Sequence, residues 1–378
     1  MRASLATGPS TLRARERPCR NGTRRRIKPK VRTSLLLITL TGLALLAAGC
    51  GQTTKEPSQA GEEPKPDNEL NVETAGWKTD FSKHTVPLSE FRSGGPGKDG
   101  IPAIDEPKFV SIEEADEWLD DREPVIELEL EGEARAYPIQ ILIWHEIVND
   151  TFAGQPVAVT FCPLCNTALV FDRRLDGEVL DFGTTGNLRS SDLVMYDRQT
   201  ESWWQQFGGE AVVGELAGAE LEHLPARIVA WEDFVARHPG SDVLSRETGH
   251  NRAYGANPYR GYDDVDSGPL FGAKNSEDDR LAPKERVVFI ERGDDAVAVP
   301  FTALESAKRV EVEVGGELLE VEWVPGVRSA LDETNIFEGR TVGSADVRSA
   351  ETGAPVAFDT PFWFTVAAFR PNVKIVPS

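Results

Sequence analysis

Between residues 124 and 330, apolar and polar positions alternate in short runs rather than in long helical stripes. Residues 125–130 and 134–137, separated by Glu131-Gly132-Glu133, predict a β-hairpin. Residues 157–161 are an unbroken apolar run of the kind covered on both faces, and they lead straight into Cys162. A second hairpin is predicted from 168–171 and 178–182 around Asp176-Gly177, and strands and turns continue at short spacing to about Leu216. Helical periodicity is confined to three segments. Residues 111–119 open with a Ser cap and an acidic first turn; residues 139–148 place Ile141, His145 and Asn149 on one stripe; residues 229–238 form the third. The expected fold class is mainly β with a few short helices (α+β).

The pattern also repeats itself. At a constant offset of 162 residues, Ala136-Tyr137-Pro138 falls on Ala298-Val299-Pro300, Leu142 on Leu304, Gly154 on Gly316 and Phe161 on Trp323. Pro163 then meets Pro325, and Thr167-Ala168-Leu169 meets Ser329-Ala330-Leu331. Scaffold positions survive this comparison and reactive ones do not. His145 faces Ala307, Glu146 faces Lys308, Asp150 faces Val312, and Cys162 and Cys165 face Val324 and Val327. The organisation implied is an internal duplication of a β-rich unit. A first repeat spans 81–246 and carries any site, a long connection spans 247–283, and a shortened, degenerate second repeat spans 284–378. The end of the second repeat, Phe362-Trp363-Phe364, echoes Trp231 to Phe234.

The N-terminus follows a different logic. Basic residues between Arg24 and Arg32 precede an apolar run over 35–48 that ends in Ala47-Ala48-Gly49-Cys50. A charged region, a short apolar core and small residues before a cut site describe a secretory leader over 1–50, with Cys50 as a lipidation site. Residues 51–80, rich at first in Pro, Glu and Lys, read as a flexible tether. The expectation is export, anchored by lipid to the outer face of the cytoplasmic membrane. The formal net charge of −21 is spread along the chain, which argues against a nucleic-acid partner.

With Cys19 in the leader and Cys50 assigned to lipid, Cys162 and Cys165 are the two cysteines of the folded body. Cys-x-x-Cys suits two ligands on one metal ion, a thiol–disulfide redox couple or a structural disulfide. The third option would leave a non-catalytic surface binding module. His145, lost from the second repeat together with both cysteines, completes a Cys₂His set for zinc or copper, with Glu146, Asn149 and Asp150 around it. Asp181, Ser191, Asp192 and Trp203 are pocket candidates. A zinc-deaminase reading fails, because His145 and Glu146 are adjacent rather than His-x-Glu and the proline lies inside the cysteine pair. Asp263-Asp264-Val265-Asp266 lacks the ligand series of a calcium loop and reads as a solvated acidic turn.

Several of these motifs together resemble one family. Ala136-Tyr137-Pro138, Trp144-His145-Glu146-Ile147-Val148-Asn149-Asp150, Phe161-Cys162-Pro163-Leu164-Cys165, Asp181-Phe182-Gly183, Ser191 to Asp197 and Trp203-Trp204 are similar, in order, to the prokaryotic domain of unknown function 3179. The resemblance covers roughly residues 80–378. It implies an exported or lipoprotein setting and no particular activity.

Overall fold

The computed structural model describes residues 69–377, so the leader, Cys50 and most of the tether lie outside the described residues. In chain order the elements that position the site begin with α1 (Ile112–Ala115), β1 (Pro124–Leu130), β2 (Glu133–Pro138), α2 (Ile139–His145), β3 (Ile147–Phe152) and β4 (Gln155–Cys162). Next come β5 (Thr167–Asp172), β6 (Phe182–Arg189), β7 (Asp192–Asp197), β8 (Trp203–Gln205), β9 (Glu210–Val213), β10 (Ala226–Ala230), α3 (Trp231–Arg237) and β11 (Asp242–Leu244). The C-terminal half contributes β12 (Val287–Arg292), β13 (Asp295–Pro300), α4 (Phe301–Ala307), β14 (Arg309–Val314), β15 (Glu317–Val324), β16 (Ser344–Ser349), α5 (Trp363–Phe369) and β17 (Lys374–Ile375). Strand accounts for 38% and helix for 12%, so the protein is mainly β with a few short helices. No helix among the described residues is long and apolar enough to cross a membrane.

Local chemistry explains most of the predicted elements. Glu131 and Gly132 both adopt positive φ, 52° and 82°, the backbone that lets a two-residue turn follow the twist of β1 and β2. Ser111 accepts from the Glu114 amide while Glu114 accepts from the Ser111 amide, a reciprocal cap that opens α1.

Helix α2 stops earlier than its periodicity predicts. Glu146 turns left-handed at φ 61°, and Ile147–Phe152 leaves as a strand paired with β4. Asn149 and Asp150 are therefore strand residues and share no helical stripe with His145. The β-branched run pairs in a sheet because β4 offers an apolar partner strand, and tertiary pairing outweighs local periodicity. The turn at Asp176-Gly177 also closes less than expected. It joins a two-residue ribbon, Arg174–Leu175 with Glu178–Val179, while β5 pairs with β4 and with His223–Leu224.

Four consecutive elements recur along the chain. β2, α2, β3 and β4 recur as β13, α4, β14 and β15 at the same offset of 162, for example 139 to 301 and 145 to 307. The left-handed residue after the helix recurs too, at Lys308 with φ 66°. Beyond β4 the ungapped alignment fails. Cys162 pairs with Thr167 across a tight turn, whereas Val324 pairs with Ser344, so residues 325–343 are an excursion and β16, not 329–331, answers β5. Register then returns: β11 runs parallel to β2 at Asp242↔Arg135, and β17 runs parallel to β13 at Lys374↔Val297. The sheet built from Phe91–Ser93, β6, β7, β8 and β9 has no counterpart in the C-terminal half among the described residues.

Two expectations about surface segments are corrected. Leu70, Val72 and Trp77, placed in the tether by composition, pack on a core cluster, where Trp77 meets Trp203 edge-on at 5.2 Å. Asp263 is not solvated. It is fully buried and accepts from Arg286 at 2.9 Å, from Arg340 at 2.8 Å and from the Ser329 hydroxyl.

Candidate metal centre

β4 delivers Cys162 to the end of a sheet, and residues 163–166 fold back through Asn166 in left-handed geometry, which turns Cys165 beneath the strand. β7 approaches from the neighbouring sheet after a reversal at Ser190 and Ser191, both at positive φ, and its first residue is Asp192. These three residues converge: one ligand atom from each of Cys162, Cys165 and Asp192 lies within 4.8 Å of the others, and all three are buried. Both cysteines are free thiols.

The Cys165 thiol donates to Asp192 Oδ1 at 2.8 Å and lies 3.0 Å from Thr167 Oγ1. Asp192 Oδ2 accepts from the Phe207 amide at 2.9 Å and from the Gln205 side chain. Gln206 continues the shell, accepting from the Thr167 hydroxyl and donating to Thr160 at 2.9 Å. A carboxylate bonded this thoroughly has a fixed orientation.

Around this core the fold collects acidic groups that burial holds toward their protonated forms. Burial pushes Asp192 up to about 6. Glu146 rises to about 8 through burial and then the nearby Asp192 charge, and its buried carboxyl makes no side-chain hydrogen bond among the described residues. Asp359, from the C-terminal half, rises to about 7 through burial. One Asp359 oxygen accepts from the Ala168 and Thr360 amides at 3.0 and 2.7 Å, and its other oxygen is buried with no partner. Burial raises both thiols as well, Cys165 more than Cys162. Among the described residues no lysine or arginine pairs with any of the five.

Glu127, Glu129 and His238 also cluster closely enough for a metal. There, however, Glu127 is held by Arg227 and Arg237 at 2.6 Å each, and these guanidinium groups lower its pKa despite its burial. That cluster already has its cations.

His145 is not part of the centre. Its buried ring uses both nitrogens elsewhere, with Nδ1 donating to the Pro102 carbonyl at 2.7 Å and Nε2 accepting from the Tyr254 hydroxyl at 2.7 Å. The expected Cys₂His set is thus replaced by a Cys₂Asp set. Asn149 clamps strands together, bonding Asp105 and both backbone groups of Phe182. Asp150 accepts from Arg135 and Tyr137 at 2.7 Å each. Of the pocket candidates, Asp192 is in the centre and Ser191 flanks it. Asp181 is a half-exposed partner of Arg173, and Trp203 is a core residue among Trp77, Phe81 and Phe91. Asp359 was missed at the sequence level, because nothing in its surroundings marks it and only the packing of the two halves brings it near Asp192.

The profile of the family described as protein of unknown function (DUF3179) matches residues 98–373. The chain belongs to this family. No curated protein and no solved structure matches it.

Proposed function

We propose that this family member binds one transition-metal ion through Cys162, Cys165 and Asp192, and that zinc is the ion the donor set suits best. The observation that carries this reading is the charge balance. Cys162, Cys165 and Asp192 converge, the buried carboxyls of Glu146 and Asp359 feel the Asp192 charge, and the described residues supply no cation to offset them. Burying acids costs several kcal/mol per charge unless a cation compensates, and a divalent ion bound to thiolates and a carboxylate does so while driving off the thiol protons. A mixed sulfur–oxygen set is borderline in softness, which favours zinc over the more thiophilic cuprous ion. Glu146, close to Cys162 and Asp192 and without a hydrogen bond, is the group best placed to orient or occupy the fourth position. A thiol-exchange role finds less support, since the Cys165 thiol donates its hydrogen bond to Asp192 and burial raises both thiols above their ordinary values.

The internal duplication is part of the same reading: the first repeat keeps the centre, and the second keeps the frame that presses Asp359 and Thr360 against it. So is export with lipidation at Cys50, which rests on the leader's pattern alone. Elemental analysis of untagged protein tests the metal. About one zinc per chain is expected, with Cys162→Ser and Asp192→Asn each reducing it to below roughly a fifth. Less than about half an equivalent, unaltered by Cys162→Ser, would overturn the proposal.

A further inference from the structure

The long connection between the halves lies at the surface but is anchored along its length. Working along it, Tyr254 donates its hydroxyl to His145 Nε2 at 2.7 Å and accepts from Thr248 at 2.6 Å. Trp144 donates to the Ala256 carbonyl at 3.2 Å. Tyr262 donates to the carbonyl of Leu164, between the two cysteines, at 2.9 Å. Ser191 then donates to the Gly272 carbonyl at 2.9 Å and accepts from the Phe271 amide at 3.2 Å, and Ser190 accepts from the Lys274 amide. Every one of these anchors sits next to a group of the candidate centre: Glu146, the cysteine turn or Asp192. Tyr254, Tyr259 and Tyr262 pack against the core cluster that contains both cysteines.

The C-terminal half provides the comparison. Its counterparts of Trp144 and His145 are Ser306 and Ala307, which offer neither the indole N–H nor the ring nitrogens that grip the connection.

We propose that residues 250–274 are a cover over the Cys162–Cys165–Asp192 centre, latched by Tyr254 on His145, so that His145 controls access to the centre instead of ligating it. The identity of what lies beneath rests on the metal reading, but the cover itself does not. Lifting the latch leaves the centre's own residues in place and exposes them from the side of Tyr259 and Tyr262. The strap carries glycines at 255, 261 and 272, all at positive φ, where a backbone can change direction without a Cβ penalty.

The test uses the full-length chain, stripped of metal with chelator, and N-ethylmaleimide as the probe. Peptide mass mapping separates labelling at Cys162 and Cys165 from labelling at Cys19 and Cys50. Tyr254→Phe and His145→Gln should each speed labelling of the buried pair about tenfold or more, and the double variant should do no more than either alone, as coupled partners require. Melting curves recorded alongside should show the fold intact at the labelling temperature. Unchanged labelling in Tyr254→Phe, or additive effects in the double variant, would overturn the latch. If labelling accelerates while the untreated protein holds no metal, the cover stands and the metal reading falls.

Discussion

At the scale of single residues, the two halves present a buried polar network and its apolar replacement side by side. Arg135, Tyr137 and Asp150 form a hydrogen-bonded triad, with the Arg135 guanidinium also 3.9 Å from the Phe109 ring and 4.5 Å from the Phe152 ring. Their counterparts at the same offset are Val297, Val299 and Val312, all buried in one core cluster. Removing one member of a buried ion pair strands the rest, whereas replacing the whole set with packed apolar groups is often neutral. Asp150→Ala is therefore expected to cost about 3 kcal/mol in denaturant unfolding, and the triple Arg135→Val/Tyr137→Val/Asp150→Val variant to recover most of it. A triple variant as unstable as the single one would refute the equivalence. His223 gives a second test at this scale. Burial, and then Arg292, depress its pKa to about 4, and its Nε2 is buried without a partner. The unfolded chain takes up that proton near pH 6.5 while the folded one resists it to about 4. Its contribution is thus full above pH 6.5 and lost as pH falls toward 4. His223→Phe should flatten the decline in stability between those pH values relative to wild type; an unchanged slope would remove His223 from the account.

Among the elements, short-range rules served well wherever the backbone had one strong local instruction. The β1–β2 turn and the Ser111 cap follow from Glu131-Gly132 and from Ser and Glu three residues apart, and α3 and α5 follow from their paired aromatic patterns. The α2–β3 joint did not follow, since Ile147–Phe152 has apolar residues that fit either a helix or a strand and only its pairing with β4 decides. The site was legible to a similar degree. Loss from the second repeat singled out the Cys162–Cys165 turn, and Asp192 was a pocket candidate; the structure brings these three side chains together. The loss alone could not show that His145 bonds Pro102 and Tyr254 while the cysteines meet Asp192, because all three residues are lost together. Asp192 and Asp359 approach the turn from sequence distances that no local pattern spans. On the metal proposal Glu146 acts at this joint, so Glu146→Gln should leave the left-handed turn and the melting temperature nearly unchanged while weakening metal retention about tenfold or more in a chelator competition. Full retention in that variant would confine Glu146 to a structural part.

Over the whole molecule, one four-element run, β2–α2–β3–β4, has a counterpart at β13–α4–β14–β15, and the buried Cys162–Cys165–Asp192 group lies beside the first of the two. The C-terminal half still reaches the centre: Phe362 donates its amide to the Cys165 carbonyl at 2.9 Å, and Asn166 donates to the Thr360 carbonyl at 2.8 Å. The connection between the halves adds its own contact, Tyr262 donating to the Leu164 carbonyl at 2.9 Å. Buried acids with no cation, beneath a strap held by residues absent from the other half, make sense together if an ion is retained there. X-ray absorption at the metal edge of untagged protein tests this most directly. The account predicts a zinc-edge spectrum with two sulfur scatterers at about 2.3 Å and the remainder oxygen at about 2.0 Å, reduced to one sulfur in Cys165→Ser. A spectrum with nitrogen and oxygen alone, or protein whose Cys162 and Cys165 are joined in a disulfide, would contradict it.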